Sequence, residues 1–548
     1  MPVLDWIGKK AVLKHHAEIP YRLLKNNEAL SVGEPGSGNL LVQGDNLEAL
    51  KALLPYYAGQ VKCIYIDPPY NTGNEKWAYN DNVNSPEIRE WLGKVVGGEA
   101  EDLSRHDKWL CMMYPRLMLL KQFLRHDGTV FISLDDNEVQ SLRYIMDELF
   151  GQSNFLGTVV WEKSDSPRMD AHFFSSRHDY IVVYARDSSK VEFNRLMTTE
   201  ALPAHYDKAD ENGRQYYLKP LRAMGGQGDS RLTRPTLFYP LIAPDGSKVY
   251  PKKQDGVDGA WRWRKEKVDE EISRIEWIKG RKGYAPYFRI YGDSRVGRPA
   301  ETIWFQTEVG SNRTSKAELK KVLPELEAFP TPKPTSLLQR IFQITTKDDD
   351  LILDSFAGSG TTGHAVLAQN KEDGGNRRFI LIEMDKDICR NVTAERLRRV
   401  IEGYAVEKKE GKKERVAGLG GGFRFCELGE TLFDSQGKIR PEVKFEELAR
   451  HVYFTETGEP PPKNGKDRAK NSPLLGVHHG TAVYLLYNGI LKDKSVNGGN
   501  VLTAAVLDAL PQHDGPKIIY GAGCRLGPAR LKREGITFRQ TPYEVKVH

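Results

Sequence analysis

Cysteine is scarce: Cys63, Cys111, Cys389, Cys426 and Cys524 are the five in 548 residues, and no two form a Cys-x-x-Cys pair. That spacing excludes a disulfide framework and a cysteine-based zinc site, so no metal is expected and a reducing cytoplasm is. No apolar run is long enough to span a bilayer, and Met1 to Lys10 has no signal-peptide core, which excludes a membrane role. Charge of one sign is barely in excess, since 80 Lys and Arg against 74 Asp and Glu leave +6 at pH 7. This balance permits a polyanionic partner without requiring one. No internal repeat of solenoid type is present. What remains is a soluble globular composition, 39% hydrophobic and 28% charged, in a chain long enough for roughly two to four domains.

The chain reads as two α/β stretches separated by a different texture. Asn39 to Val42 predicts a strand, Asp45 to Leu54 a helix and Val61 to Ile66 a buried strand, the pattern of a parallel sheet. A helix is expected from Trp109 to Leu124, broken or kinked near Pro115, then a strand from Gly128 to Leu134 and a helix over Glu138 to Phe150. Two β-rich runs follow, Phe155 to Trp161 and Asp179 to Tyr184. From about 187 to 328 aromatic and charged residues dominate, with frequent Gly and Pro. Alternation resumes at Pro334 with a helix through Ile344, the strand Asp350 to Asp354, a glycine turn, a helix from Thr362 to Gln369 and the strand Arg378 to Glu383. Two half-sheets split by an insert are most economically one doubly wound sheet with a long excursion. Glu407 to Arg415 is a charged stretch expected as a solvated helix end or linker. Gly420 to Leu428 predicts a closing strand. A last domain has strands near Ala482 to Tyr487 and Lys517 to Tyr520, and a polar loop from Glu459 to Ser472.

The first chemical motif is Ile64-Tyr65-Ile66-Asp67-Pro68-Pro69-Tyr70-Asn71-Thr72-Gly73. A buried strand ends on a carboxylate, and two prolines fix φ, withhold backbone donors and keep the preceding residues extended. The Asp67 carboxylate and the Pro68 carbonyl can accept both hydrogens of a planar amine, while Tyr70 stacks on its ring. An exocyclic amine on a nucleobase is a poor nucleophile because its lone pair is conjugated. Two acceptors favour a pyramidal nitrogen and stabilise the positive charge that develops as an electrophile arrives. A base inside a duplex must be flipped out to reach such a pocket. The competing reading, a strand-terminating turn with a surface tyrosine, suits Pro-Pro-Tyr alone better than it suits the whole run.

The second motif is Leu351-Ile352-Leu353-Asp354-Ser355-Phe356-Ala357-Gly358-Ser359-Gly360-Thr361-Thr362-Gly363. Strand, glycine turn and helix start present backbone N–H groups to a ligand. Gly358, Gly360 and Gly363 match G-x-G-x-x-G, and Glu383 lies 20 residues past Gly363 at the end of the next strand, where a carboxylate can accept ribose hydroxyls. The pattern alone serves a dinucleotide equally well. Asp354 tips the balance, since a carboxylate before the turn repels a pyrophosphate and suits a ligand carrying an ammonium and a sulfonium.

Asp67 to Tyr70 early and Asp354 to Gly360 late resemble the β-class amino-methyltransferases of DNA, whose cofactor half follows the catalytic half. The resemblance implies a Rossmann-like, circularly permuted, S-adenosylmethionine-dependent methyltransferase sheet, with an inserted target-recognition domain and a C-terminal α/β domain. It implies an N-terminal extension (1–38), a catalytic half (39–186), a target-recognition insert (187–328), a cofactor-binding half (329–430) and a C-terminal dimerisation or partner domain (431–548). It makes Asp67, Pro68, Pro69 and Tyr70 catalytic, and Asp354, Phe356, Gly358, Gly360 and Glu383 cofactor-binding. Asp45 matches an acid that meets the cofactor's adenine, although it also suits a helix N-cap. Thr331 and Lys333 fall in a cofactor-side segment where Phe329 replaces the family's usual histidine. Phe174, near the strand beginning at Arg177, is a candidate second stacking face, with a core role as the alternative. His178 and His364 read as structural.

Trp261 to Tyr291 holds nine Lys or Arg, including Arg262, Arg264, Arg281 and Lys282, interleaved with aromatics. Such a region can grip phosphates and read base edges, against the plainer reading of a solvated basic helix from Arg264 to Lys279. The expected activity is methyl transfer to N6 of a flipped adenine in double-stranded DNA. The leading aspartate favours adenine, N4 of cytosine being the alternative. A dehydrogenase lacks a candidate hydride site, a non-catalytic DNA-binding subunit would not need both motifs intact, and RNA remains open as a substrate. Gly535 to Lys546 resembles modification subunits of Type III restriction systems, which implies a homodimer and a restriction (helicase-nuclease) subunit as partners.

Overall fold

The computed structural model describes residues 4–33, 36–72, 98–167, 169, 171–196, 205–223, 229–253, 255–281, 283–292, 297–327, 329–407, 413–436, 438–462, 472–487 and 500–541, with the backbone alone for 98–104. Among them no helix is long and apolar enough to cross a membrane. The described residues form two compact units, Met1–Asn194 with Glu301–His548, and Arg195–Ala300.

The first unit is built on an eleven-stranded sheet. Its central strands run in the order Leu40–Gln43, Arg378–Glu383, Leu351–Asp354, Val61–Ile66 and Leu124–Leu134, all parallel. Two strands from the second half of the chain are thus slotted between strands that follow one another in the first half. Every residue of Val61–Ile66 is buried, as a central parallel strand covered on both faces requires. Antiparallel strands His178–Ala185 and Phe155–Glu162 extend one edge. Gly422–Thr431 pairs parallel with Leu40–Gln43 on the other, and Arg22–Asn26 pairs antiparallel with it.

One face packs Leu40, Val42, Ile66, Leu351 and Leu353 against helices Asn46–Tyr57, Gly98–Phe123 and Val139–Phe150. The opposite face receives helix Thr361–Asp373 so closely that a Cβ on Gly363 would lie 3.0 Å from Leu381 and 2.7 Å from Leu397. Of the break or kink expected near Pro115, the break is absent: one helix runs through it. Trp109, Met113, Leu117 and Leu120 on its buried face are at most 0% exposed, and this packing outweighs the missing N–H.

Two further segments differ from expectation. The second unit, Arg195–Ala300, is narrower than the segment 187–328, because Ile303–Trp304 adds a parallel strand to the sheet edge and helix Asn312–Val322 packs in the first unit. The charged stretch near 407 is flanked by an antiparallel pair, Gly403–Glu407 with Lys413–Ala417, rather than a helix end. The C-terminal part carries a four-stranded sheet in the order Leu474–His478, Thr481–Leu485, Lys517–Gly521 and Ile536–Gln540. Residues 463–471 of the expected polar loop lie outside the described residues.

The second unit has a four-stranded sheet in the order Ile275–Gly280, Gly283–Tyr291, Gln215–Pro220, Lys208–Ala209. Its core gathers Leu221, Leu241, Trp261, Val268 and Phe288. The basic run beyond Arg264 is a short helix, Lys265–Glu270, followed by that first strand, not one helix.

Candidate functional site

Strands Val61–Ile66 and Leu351–Asp354 are parallel neighbours, so their carboxyl ends open side by side, where open α/β sheets bind ligands. A cavity of about 1090 Å³ lies there, lined by Asp67, Pro68, Pro69 and Tyr70 from the first motif and by Asp354, Phe356, Gly358 and Glu383 from the second. Both expected motifs meet in one space.

Asp67 holds the centre. Its Oδ2 lies 2.5 Å from the Lys333 ammonium, while Oδ1 is buried with no hydrogen-bond partner among the described residues. Burial pushes the Asp67 carboxyl up, and Lys333 opposes that shift. The uncompensated oxygen is an acceptor awaiting a donor. Lys333 also sits 5.1 Å from the Tyr70 ring centroid. The Tyr70 hydroxyl donates to Oδ2 of Asp179 at 3.3 Å, and Asp179 is clamped at Oδ1 by Lys163 at 2.6 Å. The Trp109 indole donates to the Pro69 carbonyl at 2.8 Å and so anchors the turn after Asp67. Asn71 and Thr331 flank the motifs in left-handed conformations, φ 60 and 45, a strain that persists only where surroundings enforce it.

The glycine turn is organised by two acids. Asp354 accepts the Phe356 N–H at 2.9 Å and the Thr362 hydroxyl at 2.5 Å. Glu383 accepts the Gly358 N–H at 2.8 Å and the Asp385 N–H at 2.9 Å, one on each oxygen. Each Glu383 oxygen keeps a lone pair for a further donor. Burial pushes both Asp354 and Glu383 up to about 7. Gly358 and Gly360 adopt φ +50 and +77, and a Cβ on Gly358 would stand 3.6 Å from the Phe329 ring. That conformation strains any other residue.

The remaining expected residues divide. Thr331, Lys333 and Phe174 line the cavity, Phe174 with its ring 96% exposed rather than in a core. Lys333 faces Asp67, on the catalytic-motif side. Asp45 is not among the lining residues; Oδ1 caps helix Asn46–Tyr57 through the Leu47 and Glu48 N–H groups, and Oδ2 lies 3.4 Å from Arg116. His178 meets the Tyr180 hydroxyl at 2.9 Å. The His364 imidazole is pushed well below its usual range by burial and then by Arg396. In the second unit, Arg262 donates to the Pro220 carbonyl at 3.1 Å, whereas Arg264 and Arg281 are exposed. Lys282 lies outside the described residues. Of the aromatics interleaved with these cations, Trp261 packs in that unit's core and Trp263 against it.

Asp179 and Lys163 were not anticipated. The signal for Asp179 was a charged residue immediately before the apolar run Tyr180 to Ala185, in the strand His178–Ala185, where it is only 3% exposed. Lys163 had none, because its partner is sixteen positions away across a strand pair.

The family model described as DNA methylase matches residues 61–395. The Type III restriction-modification enzyme EcoPI Mod subunit of Escherichia phage P1 is 31% identical over 493 residues, 82% of this chain and 74% of that protein. The StyLTI Mod subunit of Salmonella typhimurium is 31% identical over 399 residues, covering 71% of this chain and 58% of its own length. The Type II methyltransferase M.KpnI of Klebsiella pneumoniae is 33% identical over 364 residues, 63% of this chain and 81% of that protein.

Proposed function

The chain belongs to the DNA methylase family, and from that premise we propose that it transfers a methyl group from S-adenosylmethionine to N6 of a flipped-out adenine, as the modification component of a restriction-modification system. The single observation that carries the reading is the buried, unpartnered Oδ1 of Asp67 beside the Pro68 carbonyl, in the same cavity as the Asp354–Gly360 turn.

The residues fit S-adenosylmethionine. Six acidic residues line the cavity, Asp67, Asp135, Asp136, Asp179, Asp354 and Glu383, and burial raises the protonation range of Asp67, Asp354 and Glu383. A cationic ligand relieves that crowding. The open lone pairs of Glu383 suit ribose hydroxyls, and the strained turn at Gly358 lets the backbone come close. When bound, this cosubstrate supplies an electrophilic methyl group. Asp67 Oδ1 and the Pro68 carbonyl accept the two amine hydrogens and draw the nitrogen toward a pyramidal, nucleophilic form. Tyr70 stacks on the base, and the Asp179–Lys163 pair fixes its hydroxyl. Lys333 opposes the rise that burial imposes on Asp67 and so favours the carboxylate form, which stabilises positive charge arriving on the amine.

Adenine is favoured over cytosine N4 by the aspartate that opens the motif. The exposed cations of the Arg195–Ala300 unit suit it to duplex DNA, and the likeness to Mod subunits supports a second copy of the chain and a restriction subunit as partners. Single-molecule sequencing of host DNA, with Asp67→Ala as control, tests the reading. N6-methyladenine at one short motif, lost in the control, is the expected result. N4-methylcytosine there would replace adenine by cytosine. No modified base from a folded protein would overturn the assignment.

A further inference from the structure

Two large apolar side chains on a connection that helps to wall the cavity take no part in the site just described. Met169 is 93% exposed and Phe173 86% exposed, next to Phe174. They lie on the connection between strands Phe155–Glu162 and His178–Ala185, which is closed at its base where Lys163 and Ser164 N–H groups donate to the Arg177 carbonyl at 2.9 and 3.3 Å. The same connection supplies Ala171, Phe174, Ser175 and Ser176 to the cavity wall. Phe173 is absent from that wall and meets the His172 ring in an edge contact, with centroids 4.4 Å apart. Exposed rings of this size are disfavoured in water unless a partner covers them.

The surroundings specify the partner. A second cleft, of about 370 Å³, shares Lys163, Ser176 and Asn312 with the catalytic cavity and adds Arg313 and Lys316. The Arg313 side chain is 84% exposed and meets Asp165, which lines the same cleft, at 3.1 Å. Apolar tips bordered by cations and continuous with a base pocket match a duplex, whose phosphates meet the cations and whose stacked bases meet the tips. A base that leaves the stack also leaves an apolar gap behind it.

We propose that Met169 and Phe173 form an apolar wedge that enters the DNA duplex at the step vacated by the target base, while Arg313 and Lys316 hold the adjoining phosphates. The proposal rests on the methyltransferase reading above. Phe174 faces the cavity and the flipped base; Phe173 faces the duplex. The wedge holds the duplex open and takes no part in the reacting centre.

The test compares wild type and Phe173→Ala on two duplexes carrying the motif found by sequencing: one fully paired, the other with an abasic site opposite the target. Opening a paired step costs more than opening an unpaired one, so the variant should lose roughly tenfold or more in kcat/KM on the paired duplex. On the pre-opened duplex it should stay within about twofold of wild type. A 2-aminopurine at the target position should brighten with wild type and stay quenched with the variant on the paired duplex. Equal loss on both duplexes, or no loss on either, overturns the wedge while leaving the methyltransferase intact. No methylation of either duplex by wild type overturns the proposed function and the wedge with it. Because Phe173 is exposed, its replacement should not alter folding, which an unchanged melting temperature verifies.

Discussion

The Lys333 ammonium lies 2.5 Å from Oδ2 of Asp67 across 266 positions of sequence. The pair joins the end of one half-sheet to the segment that enters the other. It is also almost buried, with the lysine side chain 6% exposed and the aspartate 25%, so removing either partner strands a charge.

Replacing Lys333 by Met should therefore act through Asp67. Burial already raises the carboxyl, and the cation is the main opposing influence. Without it the range rises further, so the acid limb of the pH–kcat profile should move to higher pH. Loss of one electrostatic stabiliser should cost about 10²-fold in kcat near neutrality, with recovery at higher pH. A variant whose kcat falls equally at all pH values would assign Lys333 a merely structural role.

Asp354 and Glu383 give the cosubstrate site a pH dependence. Both protonate at about 7 in the fold, above the ordinary carboxyl range. A sulfonium favours their ionised forms, so S-adenosylmethionine should bind more tightly as pH rises through about 7, with protons released. Calorimetry in buffers of different ionisation enthalpy measures that release. S-Adenosylhomocysteine, without the sulfonium, should release fewer. For the unliganded fold the sign is opposite: these groups hold more protons folded than unfolded between the ordinary range and about 7, so their contribution to stability falls as pH rises. Asp354→Asn should flatten both trends.

Gly358→Val should abolish cosubstrate binding without unfolding the chain. The position has φ +50 and the new Cβ faces Phe329 at 3.6 Å, so the direct cost is the left-handed conformation, about 1–2 kcal/mol. The larger effect is a branched side chain where the ligand must approach the backbone. Unchanged affinity would show that the turn does not cradle the ligand.

Among the basic residues of the Arg195–Ala300 unit, position decides the outcome. Arg262 binds the Pro220 carbonyl, so Arg262→Ala should lower that unit's stability by about 1.5–3 kcal/mol, seen as an earlier thermal transition. Arg264 and Arg281 are exposed. Their replacement by Ala should leave melting unchanged and reduce the salt dependence of DNA binding by about one counterion each.

Much of this was legible in order along the chain. Apolar runs such as Val61 to Ile66 announce buried parallel strands, and Asp67-Pro68-Pro69-Tyr70 and Asp354 to Gly360 announce chemistry, because strand ends, prolines and glycines constrain the backbone locally. Pro115 misled for the complementary reason. Its local preference is to stop a helix, and burial of Trp109 and Leu117 overrode it. The places of Trp261 and Trp263 were not legible, since an aromatic interleaved with cations reads alike whether it faces DNA or a small domain's core.

Local order along the chain therefore determined which backbone segments end in acceptors and which turns can cradle a ligand. Only the tertiary structure decided that the strand ending at Asp67 and the strand ending at Asp354 are neighbours, that Lys333 serves Asp67, that Asp179 and Lys163 hold Tyr70, and that Asp45 spends its carboxylate on a helix cap. Those relationships depend on strand order and on contacts between residues far apart in the chain, which short-range constraints of φ, spacing and hydrophobic period do not encode.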